Sequence, residues 1–226
     1  MKRLIVLLAM IGWTFCFHSM ADDLDKLRKA AEKGDKEAQY QLGQKYEEGQ
    51  GVEKKLEIAA HYYLLAAEAG HAGAQYKIAG LLFNGKGLEK DQIKAFYWYR
   101  KSAEQGNPYA FFMLGMMYWD GIGVTQDKTE AEKWLKKAHP VLLAEGEQGD
   151  SRSQHCLGWM YYLGRGVEEN NAEAFRQFNK CAQSGNSKCQ YQVGWMYANG
   201  EGVEKSIAEA LNWYRKAAAQ GDGDAQ

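Results

Sequence analysis

A chain of 226 residues with 46% hydrophobic and 25% charged side chains can build a packed core, which excludes intrinsic disorder. The formal net charge of −1 excludes the basic footprint of a protein that binds nucleic acid or anionic lipid. Pro108 and Pro140 are the two prolines, so long helices are possible.

The N-terminus reads as a segment apart from the fold. Lys2 and Arg3 precede an apolar run from Leu4 to about Phe17, and Ser19 and Ala21 fit the small positions of a cleavage site. This predicts a secretory signal peptide over residues 1–21, a mature chain from Asp22, and a periplasmic or secreted location. An uncleaved membrane anchor is the alternative, but the run is short for a span and polar residues follow at once. Membrane contact is therefore expected only before cleavage. Removal of Lys2 and Arg3 with this segment takes the formal net charge from −1 to −3.

Beyond it the chain repeats itself. "EEGQGV", "FNGKGL", "WDGIGV", "YLGRGV" and "ANGEGV" place second glycines at Gly51, Gly87, Gly123, Gly166 and Gly202, spaced 36, 36, 43 and 36 residues apart. A single glycine pair could open a phosphate-binding loop, whereas five in register mark an architecture. The pairs lack the required third glycine, so they read as turns. Residues 24–34 match only the second half of a unit, with Gly34 falling 36 residues before Gly70, and read as an N-terminal capping helix with a wet outer face. Units follow over about 38–73, 74–109, 110–152, 153–188 and 189–226. In the second, a helix from Ala74 to about Phe83 is broken by Asn84, Gly85 and Gly87. Asp91 then caps a helix from about Gln92 to Gln105, which stops at Gly106.

Small residues recur in register: Gly43, Ala79, Gly115, Gly158 and Gly194 in the first helix of each unit, then Ala59, Ala95, Ala131, Ala174 and Ala210 in the second. A third slot near the end of the second helix holds Ala67, Ala103, Ala182 and Ala218. Large residues fill complementary slots, among them Tyr63, Tyr99, Leu135, Phe178 and Tyr214. Glycine costs a helix roughly 1 kcal/mol relative to alanine, so its recurrence implies close packing. The third unit carries seven extra residues around "HPVLLAE" (139–145). Seven residues are nearly two helical turns and preserve the facing, while Pro140 is expected to kink or end the helix. Val141, Leu142 and Leu143 then have no place in the repeat's own core.

These motifs resemble the Sel-one-like repeat (SLR) family, the longer relative of the tetratricopeptide repeat. Residues 189–221, "CQYQVGWMYANGEGVEKSIAEALNWYRKAAAQG", follow its pattern nearly throughout. The resemblance covers about residues 22–226 and implies an all-α fold: a right-handed α/α superhelical solenoid of about five two-helix repeats. It implies no reaction. Cys181 and Cys189 lie eight residues apart across a turn, a spacing similar to that of cysteine-rich secreted family members. In an oxidising compartment they are expected to pair, the alternative being two reduced thiols in small-residue slots. Cys156 reads as a buried, inert thiol.

The resemblance also implies that the first helix of each unit lines a concave face. Opposite the packing stripe lie Phe112, Met116 and Trp119 in the third unit, His155, Trp159 and Tyr162 in the fourth, and Tyr191 and Trp195 in the fifth. The first unit has Tyr40, Gln44 and Glu47 there. Aromatic and methionine side chains suit binding hot spots, although the same rings could pack against neighbouring helices. The leading expectation is a non-enzymatic exported module that binds a peptide or protein in this face. It would serve as an envelope adaptor, a host-factor binder, or an immunity protein against a secreted phospholipase toxin, with no cofactor, metal or nucleic acid. The alternative is an envelope hydrolase or β-lactam-binding protein. A serine acyl enzyme of that kind wants S-x-x-K, and none occurs. His155 and Cys156, about 100° apart on a helix, do not converge. His61, His71 and His139 lack metal-ligand spacing.

Overall fold

The glycine-punctuated pattern folds into helices throughout residues 23–221, which a computed structural model describes. The expected signal peptide lies outside the described residues. No strand occurs among the described residues, and no helix there is long and apolar enough to cross a membrane. The fold is the α/α repeat expected from sequence, and the chain divides into two compact units, residues 1–107 and 108–226.

The first unit holds α1 (23–32), α2 (Lys36–Glu48), α3 (Leu56–Glu68), α4 (Ala72–Asn84) and α5 (Gln92–Glu104). Each of α2 to α4 packs on the next helix. Leu24, Leu27 and Ala31 of α1 join Ala38, Leu42 and Tyr62 in a terminal cluster, while Asp25, Lys26 and Lys29 face water. The second unit holds α6 (Pro108–Asp120), α7 (Lys128–Glu147), α8 (Ser151–Leu163), α9 (Asn171–Gln183), α10 (Ser187–Asn199) and α11 (Ile207–Ala218), again packed in sequence.

Local chemistry sets the helix ends. The Asp91, Asp127 and Asn170 side chains each accept the backbone N–H three residues on, at 2.9, 2.9 and 3.0 Å, caps worth about 1 kcal/mol each. The second glycine of three pairs, Gly87, Gly166 and Gly202, has a further role. Gly166 has φ +75°, and a Cβ there would stand 2.5 Å from the Leu135 Cβ. At Gly202, φ +68°, a Cβ would overlap the Asn171 carbonyl. These loops lie directly on the second helix of the preceding repeat, so glycine is required for the stack as well as for the turn.

The small and large slots meet as their register implies. A Cβ on Gly43 would stand 2.5 Å from the Tyr63 ring, and one on Gly158 2.5 Å from the Phe178 ring. The extended α7 narrows one expectation and corrects another. Pro140 does not end the helix, which runs on to Glu147. Pro140 and Lys136, whose carbonyl loses its N–H partner, are both exposed, so water can satisfy that carbonyl. Leu142 is fully buried with Leu135 and Ala138, and Leu143 packs against the same cluster, so only Val141 of the triplet stays largely outside. The added turns restore the register, and Gly146 takes the third small slot beside Leu157.

A recurring glutamine, which sequence reasoning passed over, ties repeats together. Gln39, Gln75, Gln154 and Gln190 are buried. Their amides donate to carbonyls eight residues back, those of Ala31, Ala67, Gly146 and Ala182, at 3.1, 3.1, 2.9 and 3.3 Å.

Candidate functional site

Of the eight side chains singled out in the second unit, seven are half-buried on α6, α8 and α10, and Phe112 is not among them. Phe112 is 7% exposed and belongs to the core cluster with Leu135, Cys156 and Leu157, so it is corrected from the face to the interior. Of the rest, Trp159, Tyr162 and Trp195 form a continuous edge-to-face array from α8 to α10. Trp159 and Tyr162 meet at 5.8 Å and 81°, and Tyr162 and Trp195 at 5.8 Å and 88°, the favoured geometry of aromatic pairs. Trp159 also stands edge-on to Phe178 at 5.5 Å and packs against both core clusters of this unit. It is thus part packing residue and part surface. Tyr191 lies 5.5 Å from Tyr214.

His155 is engaged within the array. The Trp159 indole N–H donates to its Nε2 at 3.1 Å, which places the imidazole proton on Nδ1. Burial, with a smaller push from the Lys188 ammonium, lowers its pKa to about 4. A neutral, occupied imidazole is a poor general base at neutral pH. Cys156 points into the core, 5% exposed, with burial raising its thiol to about 12, the character of an inert cysteine.

Trp119 is covered more than sequence reasoning foresaw. Arg165, from the loop between α8 and α9, makes a two-pronged bond to Asp120, both N–O distances 2.9 Å. Its guanidinium lies 5.1 Å from the Trp119 ring centre, and its Nη1 is 3.6 Å from the Met116 sulfur. The Lys128 ammonium is 5.5 Å from the same ring. Sequence gave no signal for this cradle, because the loop position varies from repeat to repeat: Gln50, Lys86, Ile122, Arg165 and Glu201.

In the first unit the equivalent face is polar and self-satisfied. Gln44 donates to Tyr40 at 3.2 Å, Tyr40 stacks on His71 at 4.3 Å, and Glu47 accepts from Tyr63 and Lys77 at 2.6 and 2.7 Å.

Behind the face, Cys181 and Cys189 form a disulfide with Cα atoms 5.7 Å apart, joining the end of α9 to the start of α10. The same two slots at the α7–α8 junction hold Glu145 and Ser153, whose hydroxyl donates to the carboxylate at 2.7 Å. The Tyr109 hydroxyl lies 3.0 Å from Glu145 and 2.9 Å from Asp150. Among the described residues, no three His, Cys, Asp or Glu side chains converge as a metal site.

The family model for the Sel1 repeat matches residues 36–71, 72–107, 108–138, 151–186 and 187–222, leaving the α7 extension between the third and fourth matches. Against curated proteins no match is found. Among solved structures, a protective antigen present in uropathogenic Escherichia coli strains, displaying an SLR fold, is 34% identical over 89% of this chain, with a TM-score of 0.52. This chain spans only 42% of that protein's length. A Sel1 repeat protein from Oxalobacter formigenes is 33% identical, covering 85% of this chain and 74% of its own, with a TM-score of 0.57. An immunity protein from Pseudomonas aeruginosa shares the fold at 23% identity, covering 84% of this chain and 67% of its own, with a TM-score of 0.51. Five matched repeats and these likenesses, together with the helical hairpins and their glycine turns, place the chain in the Sel1 repeat family.

Proposed function

We propose that the protein is an exported, non-enzymatic binding module whose α6–α8–α10 face holds a peptide or protein partner, as an adaptor or an immunity-type inhibitor. The observation that carries this reading is the half-buried array of Trp159, Tyr162 and Trp195, at positions that are polar in the first repeat. Rigid aromatic anchors that keep part of their surface in water are the usual centres of protein interfaces. Export is supported by the Lys2–Arg3 and apolar sequence at the N-terminus and by the Cys181–Cys189 pair, since disulfides persist in oxidising compartments. The immunity protein of similar fold supports only the idea that such a scaffold can serve as an inhibitor. A hydrolase reading has no residues to stand on, with His155 engaged by Trp159 and Cys156 buried.

The test is affinity capture from envelope extract with the mature protein, followed by mass spectrometry. Trp195→Ala is expected to lose the captured partner by at least about thirtyfold in affinity while its melting temperature shifts little, and Gln44→Ala is expected to keep it. Retention by Trp195→Ala together with loss by Gln44→Ala would move the binding face to the first unit.

A further inference from the structure

One residue of the face is chemically unlike its counterparts. The slot that holds Tyr40, Tyr76, Phe112 and Tyr191 in the other four repeats holds His155 in the fourth. In four of the five repeats the slot meets a ring of the second helix. Tyr40 lies 5.7 Å from Tyr63, Tyr76 5.6 Å from Tyr99, Tyr191 5.5 Å from Tyr214, and His155 6.1 Å from Phe178. A phenol serves that contact, so packing does not call for a histidine. What the imidazole adds is a lone pair, and the Trp159 indole N–H donates to it at 3.1 Å. Trp195 stands at the same position one repeat on, behind Tyr191, and its indole N–H has no partner among the described residues.

Trp159 is the root of the aromatic array. It is edge-on to Phe178 at 5.5 Å and to Tyr162 at 5.8 Å, and Tyr162 is edge-on to Trp195. Protonation of His155 would put a second N–H where the lone pair was, so two donors would oppose each other and the bond would be lost. The new charge would meet no carboxylate. Lys188 of α10 is the one charged group among the described residues that acts on the imidazole, so α6 and α7 contribute none. From α9 it meets the Phe178 ring, and on α8 the Arg152 guanidinium lies over the Tyr109 ring.

We infer that His155 is an acid-sensitive latch, whose protonation releases Trp159 from Phe178 and Tyr162 and opens the aromatic face. Its use, the release of a bound partner in acid, rests on the partner-binding reading above. The latch itself is a property of the unliganded protein.

The sign follows from linkage. Burial and Lys188 hold His155 to a pKa of about 4 in the closed array, against an ordinary 6.5 once the imidazole reaches water. The open state therefore binds the proton more readily, and acid favours it. Relative to neutral pH, the ratio of open to closed rises about thirtyfold by about pH 5 and approaches about 300-fold below the lower pKa.

The experiment is an NMR titration of the mature, disulfide-bonded protein without ligand, from neutral pH downward. It follows the His155 ring protons and the indole N–H signals of Trp159 and Trp195. The Trp159 signal is expected to move with His155 protonation. Its protection from solvent exchange, taken relative to Trp195, should fall about thirtyfold by about pH 5. His155→Gln, whose amide oxygen accepts at either pH, should abolish that fall. His155→Tyr, which restores the residue of three other repeats, fills the slot without the lone pair. It should show an unprotected Trp159 already at neutral pH while the amides of α2 and α3 stay protected.

A Trp159 signal that stays in place while the His155 ring titrates would overturn the latch, as would an unchanged acid response in His155→Gln or a protected Trp159 in His155→Tyr. Loss of Trp159 protection only together with that of α2 and α3 would assign the change to general unfolding and overturn it equally. No partner is present in the titration, so its outcome is independent of whether the face binds one, which the envelope capture decides.

Discussion

The two units use the same hairpin and differ in what they place in its spare positions. Between consecutive repeats, two slots face each other across the turn. In the first unit they hold Ala66 and Ala74, both fully buried. In the second they hold the hydrogen-bonded pair Glu145 and Ser153, then the disulfide of Cys181 and Cys189. The outward face follows the same division, with a satisfied polar network at Tyr40, Gln44 and Glu47 against an aromatic array at Trp159, Tyr162 and Trp195. Packing of a small residue against a large one defines the hairpin in both units, which leaves these other positions free to carry bonds and binding surface. Within each unit a helix packs chiefly on its sequence neighbours, so such changes stay local.

The largest expected effect breaks the comparison at the loops. Gly51 and Gly202 occupy the same turn position, with φ +72° and +68°. Among the described residues nothing lies near a Cβ built on Gly51, whereas one on Gly202 overlaps the Asn171 backbone. Gly51→Ala should cost about 1 kcal/mol for the left-handed conformation. Gly202→Ala should cost about 4 kcal/mol, because a backbone overlap adds to the same conformational term. Urea unfolding of the two variants measures this, and equal losses would mean that the loop does not bear on the preceding helix.

The next effect concerns pH. Tyr40 and Tyr76 stand in the first unit where His155 stands in the second. The pKa of His155 falls from an ordinary 6.5 to about 4 on folding. The depressed value means that the unfolded chain binds the proton more readily. The stabilisation is therefore fully present above pH 6.5, is lost as pH falls towards 4, and reaches about 3 kcal/mol. Protonation also removes the acceptor for Trp159 and brings a second positive charge near Lys188. Hydrogen exchange should show α8 and α9 loosening across this window while α2 and α3 hold. His155→Gln should flatten the difference, and an unchanged pH profile in that variant would assign the loss to other groups.

The hairpins and the pairs of small against large residues were legible because each recurs five times and short-range physics decides it. The Cys181–Cys189 pairing was legible because a turn brings the two residues together. Gly146 and Leu142 were not, since the seven added residues shift the count and Pro140 implied an interruption. The helix continues there because the affected carbonyl faces water. Phe112 was misplaced because a 100° wheel does not register how far the neighbouring helix wraps around α6. Arg165 and Asp120, 45 residues apart, have no counterpart in the other repeats, so no periodicity could announce their bond. The buried glutamines recur after a small residue, but a polar side chain near a helix start ordinarily faces water, so its type gives no signal of burial.

Those glutamines give the smallest and most selective comparison. In two repeats the glutamine's oxygen has a donor 30 residues on: Gln105 bonds Gln75 at 2.7 Å, and Gln220 bonds Gln190 at 2.8 Å. At Gln39 and Gln154 the same oxygen is buried without a partner, and the corresponding donor positions hold Ala69 and Ser184. An unmet buried acceptor costs on the order of 1 kcal/mol or more. Ala69 is exposed, so a longer side chain can enter from the surface without displacing core. Ala69→Gln should therefore stabilise the first unit by about 1 kcal/mol, less the entropy of ordering the new side chain. The gain should vanish in a Gln39→Met background, where no acceptor remains, and a double-mutant cycle on urea midpoints separates the two terms. Ser184→Gln should gain less, because the Ser184 hydroxyl already donates to the Cys181 carbonyl at 2.7 Å and that bond would be given up. An equal gain from Ala69→Gln with and without Gln39 would show that the new glutamine acts through helix capping alone and that the oxygen of Gln39 is satisfied in solution.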